Sequence, residues 1–520
     1  MHLRPVIASV GLLAGSLVAL SGNTAQAATT RYEAETSPAV CAGAIESNWT
    51  GYSGSGFCNG DNATGGYAQF TVTASTAGTA TLKVRFANGT TSARAANIVV
   101  NGTTAATASF EGTGAWNTWA TKTLTVPLRS GSNTVRLAPT TSAGLPNIDY
   151  TDVETSGGDP QPTGPVLYVS PSGTDGAAGT ESNPTTLTSA ISRISSGGTI
   201  YLRGGTYRYS QTVTIPAGRN GTSGDRTELF AYPGETPVLN FSAQSEDPAN
   251  RGLAVNASYW HVKGIVVERA GDNGIFLSGS NNVIERTVTR FNRDSGLQLS
   301  RALSGTPKDQ WPSNNLILSA ESHDNVDSDG EDADGFAPKL TVGPGNVFRY
   351  TVSHNNIDDG YDLYTKTDTG PIGAVTIEDS LAYDNGTLSD GSQAGNGDRN
   401  GYKLGGDDIG VNHVVRRSIA YQNGKHGFTY NSNIGAMQIS DNVSIGNEQR
   451  NFNFDSGSTS VFRNNTSCDS GSNDRVIGNS DSSNQFWSGS NGSRCSSYAG
   501  ALHWSFGSDG RLVVTFGGSR

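Results

Sequence analysis

From Thr199 onward the chain alternates short apolar runs with turns rich in Asn, Asp and Gly, and one phrase keeps returning. A polar turn is followed by a glycine and then by apolar residues at alternate positions. It stands as Asp272–Leu277, Asp294–Leu299, Ala333–Phe336, Asp358–Leu363, Arg399–Leu404 and Lys425–Tyr430. The anchoring glycines are Gly274, Gly296, Gly335, Gly360, Gly401 and Gly427, at spacings of 22, 39, 25, 41 and 26. Three intervals fall between 22 and 26, and the other two are longer by about a loop. Period-two alternation predicts strands, and a repeat of this size with several short strands predicts a parallel β-helix. A propeller blade needs roughly 40 or more residues in an unbroken period, which is not present.

The rest of the pattern divides the chain. Residues 28–154 alternate at about ten-residue spacing, as in Tyr67–Val72, Ala80–Phe86, Asn97–Val100, Lys122–Val126 and Asn133–Leu137. That predicts a β-sandwich. Residues 155–165 read as a Gly/Pro linker. The all-β solenoid, of the right-handed kind, is expected over 166–455, with one helix at Thr186–Ile194 closing its N-terminal end. After Asp455 the period fades, so 456–520 is expected to cap the far end or lie along the outside.

Composition sharpens this outline. Residues 1–27 carry Arg4, an apolar run Val6–Leu20 and a small-residue cleavage site at Ala25–Ala27. They read as a secretory signal, which predicts a secreted, extracellular protein with no membrane anchor after cleavage. Secretion permits disulfides, and Cys41 with Cys58 and Cys468 with Cys495 are the expected pairs, each within its own segment. The formal charge of −11 argues against a nucleic-acid partner. An acidic substrate must then be held by a local positive device. A monomer is expected.

Coils of a β-helix stack about 4.8 Å apart, so residues at equal offset from the repeat glycine form columns. Asp334 falls beneath Asp359, with Asp358 and Asp362 beside them. Lys403 falls one coil above Asp362, and Arg399 one coil above Asp358. Asn and Asp beside turns commonly serve turn geometry alone. Four carboxylates in two adjacent coils exceed that need, and they repel unless neutralised. Oxygen ligands at this density suit Ca²⁺, which takes six to eight in irregular geometry; a purely structural calcium remains an alternative. Tyr402 and Leu404 alternate inward, which turns Lys403 outward beside the acids. It is there either as a salt-bridge partner or as a base whose pKa is lowered by calcium and Arg399.

These parts suit β-elimination in a uronic-acid polymer. The C6 carboxylate acidifies the C5 proton, a neutral lysine takes that proton, and the C4–O bond breaks without water. Two competitors stand beside it. A β-helix hydrolase needs a protonated acid among its carboxylates or a histidine with basic partners, faintly echoed by Lys425-His426-Gly427. A non-catalytic matrix-binding protein with structural calcium needs neither.

Three runs together carry a family likeness: Gly330–Leu340, Asn356–Tyr364 and Asn400–Gly406, preceded by Leu167–Gly176. Over 166–455 the chain resembles polysaccharide lyase family 9, the pectate lyases of that group. The resemblance implies a pectate (polygalacturonate) substrate, Ca²⁺ on Asp334, Asp358, Asp359 and Asp362, and Lys403 as base. The long loop Asp384–Asn400 departs from it. The front segment is similar to family 35 or family 6 carbohydrate-binding modules, through Tyr32–Glu35, Trp116–Trp119 and Asn147–Val153. This implies calcium at Glu33, Glu35 and Asp149, and Asn147 near a bound sugar.

Overall fold

The computed structural model describes residues 28–74, 78–129, 131–155, 164–507 and 509–517. The expected signal, 1–27, and residues 156–163 of the expected linker lie outside the described residues. No helix among the described residues is long and apolar enough to cross a membrane.

The N-terminal unit is a sandwich of two antiparallel sheets, one of six strands and one of five. Alternate residues of strands Ala68–Ala74 and Arg94–Val100 point inward. Phe70, Val72, Leu82, Val84, Ile98 and Leu137 form much of the core. Cys41 and Cys58 are bonded and tie a strand of one sheet to a strand of the other.

The second unit is a parallel β-helix of three sheets, with 12, 10 and 10 strands. Every strand pairs in parallel with its counterpart one coil away, because each complete coil supplies one strand to each sheet and the end coils add to the first sheet alone. The helix spans Leu187–Arg193, capped at Thr186 and Ile194, and buries Leu187, Ala190 and Ile191 against the first coils. It therefore closes the N-terminal end as the pattern predicted.

The register follows the glycine columns. Phe336 pairs with Tyr361, Tyr361 with Tyr402, and Tyr402 with Phe428. The glycines themselves hold their places for a reason other than left-handed backbone. A Cβ on Gly360 would lie 2.6 Å from the Gly401 carbonyl and 2.8 Å from the Asn385 side chain. Left-handed backbone recurs instead at a turn one step earlier, at Phe291, Asp324, Asn355, Asp384 and Gln422 among others. Each is followed by a buried asparagine whose Nδ2 donates to the Oδ1 of the next coil's asparagine: Asn292 to Asn325, then Asn356, Asn385, Asn423 and Asn447, at 2.7–3.0 Å. This ladder fixes the turn just before the Asp358–Asp359 pair.

Behind the third sheet a column of aromatic rings fills the core. Tyr361 and Tyr402 stack at 4.6 Å, and Tyr402 and Phe428 at 4.5 Å. The faces opposite Tyr361 and Tyr402 carry Asp362 and Lys403 outward. Replacing Tyr402 by Ala empties a fully buried ring site, and denaturant unfolding should show a loss of about 3–5 kcal/mol. A loss below about 1 kcal/mol would mean the stack does not carry the coil.

One boundary needs correction. The stack does not end at Asp455: strands Val461–Arg463, Thr466–Cys468, Arg475–Val476 and Asn479–Ser480 add further members to all three sheets. The period is hidden there because Asn451 stands in the glycine column and itself accepts the ladder bond from Asn447 at 2.7 Å. Gln485 still bridges Thr466 in parallel, and the chain leaves the stack only after Trp487. Cys495, in the short helix Ser493–Tyr498, is bonded to Cys468. The hairpin Leu502–Phe506/Leu512–Phe516 then lies along the outside of the second sheet, where the Trp504 indole donates to the Tyr383 hydroxyl at 3.0 Å.

Candidate active site

The outward faces of three adjacent coils form a cleft of about 520 Å³. Strands Tyr361–Asp362 and Tyr402–Lys403 give it Asp362 and Lys403, and Lys339 enters it just after strand Phe336–Pro338. Asp362 pairs across the ladder with Lys403, as the columns required.

Asp334, Asp358 and Asp359 can each present a carboxylate oxygen within 4.8 Å of the others'. Several of their oxygens already accept hydrogen bonds. Asp334 Oδ1 accepts from the Asp359 amide at 3.2 Å, and its Oδ2 from Ser295 Oγ at 3.1 Å and Lys339 Nζ at 2.8 Å. Asp358 Oδ1 accepts from the amides of Asp398 and Arg399. Asp359 Oδ1 accepts from the Asn400 amide at 2.6 Å and side chain at 2.9 Å. Two buried oxygens accept no hydrogen bond: Asp359 Oδ2 and Asp362 Oδ1. Asp359 Oδ2 has only the Lys403 ammonium, at 3.3 Å. A buried carboxylate oxygen without a hydrogen bond is costly, and an all-oxygen set with such acceptors fits a hard divalent cation such as Ca²⁺. Asp334, Asp358, Asp359 and Asp362 are the residues that would hold it.

Electrostatics express the same crowding. Burial, with neighbouring carboxylates adding, pushes Asp334 and Asp358 well above the ordinary range. Burial likewise raises Asp359 to about 6, against the pull of Lys403. Lys403 Nζ lies 3.3 Å from Asp359 Oδ2, 3.8 Å from Asp362 Oδ2 and 3.1 Å from Asp398 Oδ2. Burial alone would lower its pKa, but Asp362 and Asp359 outweigh burial and raise it. The neighbouring acids thus work against the lowering expected for this lysine. The Arg399 guanidinium, expected beside it, faces Glu448 at 3.6 Å instead, while the Arg399 amide serves the cluster.

Three further side chains take part. Lys339, almost fully buried, bridges Asp334 and Asp362 at 2.8 and 3.5 Å. Asp398 sits between Lys403 and Lys425, the latter at 2.7 Å. Ser295 supports Asp334 from the coil below. Lys339 lies inside a motif run and could have been found as a cation four places after a repeat glycine; Asp398 lies in the irregular loop, where no column exists. His426 is only 6% exposed, lies outside the cleft lining, and is depressed to about 4 by burial with Lys425 and Arg450 nearby.

In the sandwich, the expected calcium residues converge on the turn at Ser53–Ser55. Asp149 accepts from the Ser53 amide at 3.0 and 3.1 Å, Glu33 from Ser53 Oγ at 2.7 Å, and Glu35 from the Ser55 amide at 2.9 Å. Glu33 Oε2 and Glu35 Oε2 are buried without a hydrogen-bond partner. Burial, opposed by the Ser53 amide and Arg85, pushes Asp149 up to about 6. Asn147 opens the strand Asn147–Thr155 and is 3% exposed. Trp119 packs edge-on against Phe57 and Trp116 lies under Arg94, both half-buried.

Fold and site define a parallel β-helix enzyme with an acid–lysine centre on an outer face, joined to a β-sandwich module. A family model described as "Pel9A-like, right handed beta helix region" matches residues 167–467, and one described as "Carbohydrate binding module (family 6)" matches residues 33–155. The chain is 54% identical over 323 residues to pectate lyase L of Paenibacillus polymyxa (strain SC2), covering 62% of this chain and 72% of that one. To pectate lyase L of Thermoclostridium stercorarium it is 43% identical over 292 residues, covering 56% of this chain and 23% of that one. The crystal structure of pectate lyase Pel9A superposes with a TM-score of 0.57 at 31% identity, covering 68% of this chain and 88% of that chain. The chain belongs to the Pel9A-like right-handed β-helix family. It is a polysaccharide lyase of the pectate lyase type with an N-terminal carbohydrate-binding module. That membership sets aside the hydrolase and the non-catalytic alternatives.

Proposed function

We propose that the protein is a secreted, calcium-dependent pectate lyase that cleaves polygalacturonate by β-elimination, with Lys403 as the base. The observation that carries this reading is the placement of Lys403 Nζ in a cleft beside a carboxylate cluster whose buried Asp359 Oδ2 and Asp362 Oδ1 accept no hydrogen bond. The names of the relatives supply the substrate class.

Asp334, Asp358, Asp359 and Asp362 would hold the calcium, which when bound would supply Lewis acidity toward the uronate carboxylate and positive charge to offset the acids around Lys403. Lys403, projected from a strand backed by the aromatic stack, removes the C5 proton. The electron pair left at C5 forms the C4–C5 double bond as the C4–O bond breaks, and the departing glycosidic oxygen keeps that bond's pair and takes a proton from solvent. Lys339 keeps one oxygen each of Asp334 and Asp362 occupied, so their other oxygens face the cluster. The Asn400 amides hold Asp359 in place, and the asparagine ladder fixes its turn. The module keeps the enzyme on the wall polysaccharide and raises local substrate concentration. The signal-like residues 1–27 and two disulfides support an extracellular location.

Mass spectrometry of the products tests the reaction class. Elimination leaves each new non-reducing end lighter by one water than hydrolysis does. Saturated ends alone would contradict the proposal.

A further inference from the structure

Lysine is scarce in this chain: it occurs at eight positions. Four of these, Lys339, Lys366, Lys403 and Lys425, gather in or beside the one cleft. Lys339, Lys403 and Lys425 are all engaged with carboxylates at 2.7–3.8 Å. Lys366 differs. It lines the cleft with its side chain about half exposed, and Asp368, itself largely exposed, stands 3.9 Å from its ammonium, too far for a hydrogen bond. The backbone beneath is pinned, since the Lys366 carbonyl accepts from the Gly370 amide at 2.8 Å and the Thr369 amide at 3.1 Å. A cation so held, in a lining otherwise loaded with Glu331, Asp332, Asp358, Asp362 and Asp398, is oriented for an anion that arrives from solvent.

Two residues earlier, Tyr364 lines the same cleft. Its hydroxyl donates to Asp407 at 2.6 Å, and Asp407 also accepts from the Thr367 amide at 2.8 Å. The ring is therefore fixed at its far end and tied to the turn that carries Lys366. Lys403 Nζ lies 5.6 Å from the ring centroid, so the ring borders the reacting centre. A half-buried, immobilised aromatic face is the usual platform for the apolar side of a pyranose, and a lysine beside it suits the ring's carboxylate. The cleft volume lies within the range of small-molecule sites.

We propose that Tyr364 and Lys366 form a subsite for the uronate unit next to the one that loses its proton. Tyr364 stacks on the sugar ring and Lys366 pairs with its free carboxylate. This rests on the lyase reading for the substrate class and adds a specificity element: the enzyme reads a second unesterified uronate, through protein rather than metal.

The test separates binding from turnover. Calorimetry with a de-esterified galacturonate oligomer is run in a Lys403→Ala background with calcium present, adding Lys366→Met, Lys366→Arg or Tyr364→Ala. Kd is expected to rise about tenfold with Lys366→Met and with Tyr364→Ala, and to return to within about threefold with Lys366→Arg. Methyl-esterified oligomer should bind the Lys366→Met protein and its parent alike. In the otherwise unaltered enzyme, Lys366→Met should raise KM by a similar factor with kcat held within about twofold. Unchanged Kd in both Lys366→Met and Tyr364→Ala overturns the subsite, as does an equal loss on esterified oligomer. Absence of unsaturated product from the unaltered enzyme would strike the lyase reading instead, and the calorimetry decides the subsite in either case.

Discussion

Lys403→Ala should lower kcat on polygalacturonate by about 10²–10⁴-fold, the range a positioned general base supplies, while calcium binding persists. The two readouts must part company. Lys403 contacts Asp359 and Asp362 at 3.3 and 3.8 Å. Removing its positive charge cannot weaken the cluster's attraction for a cation, so calcium affinity should hold or tighten. A purely structural lysine would behave differently, since its loss would loosen the site and affect metal and rate together. Lys403→Arg should also be inactive, because a guanidinium stays protonated at any working pH. A Lys403→Ala enzyme of full rate would remove Lys403 from the chemistry.

Asp359→Asn should have opposite effects with and without calcium. The folded site raises the Asp359 pKa to about 6, with burial the first cause. A carboxyl whose folded pKa is raised is destabilising when ionised, so at neutral pH its charge costs stability. The amide keeps the shape and can still accept the Asn400 bonds at Oδ1. Without metal the variant should therefore melt at a higher temperature than the parent. With calcium, the parent gains stability in proportion to its affinity, and the variant, one charged ligand short, should gain far less. Its calcium Kd should rise at least about tenfold. Thermal melts in chelator and in excess calcium read both signs. A variant that melts lower without calcium, and gains as much from it as the parent, would show that Asp359 is a structural acid.

Much of this site could be read from residue spacing, since in a β-helix the repeat offset is a spatial coordinate. Gly335, Gly360 and Gly401 were sufficient to put Asp334 under Asp359 and Asp362 under Lys403, and the strand pairings agree. The physical basis is close packing: neither the next coil's carbonyl nor the ladder asparagine leaves room for a side chain there. Where that packing is met differently, as at Asn451, the pattern disappears although the coils continue. Arg399 shows the other limit. Its backbone falls in the expected column, but a long side chain is free to choose its partner, and it reaches Glu448. Asp398 and Lys425 meet only because an irregular loop folds back over the cleft, and loop closure leaves no periodic trace.

Calcium-dependent elimination on polygalacturonate is read from the ultraviolet absorbance of the 4,5-unsaturated uronate, followed with the purified protein in chelator and again after calcium is restored. No rise is expected in chelator, and a steady rise on calcium addition. A rise that is the same in chelator, or none in calcium while the polymer still shortens, would contradict it.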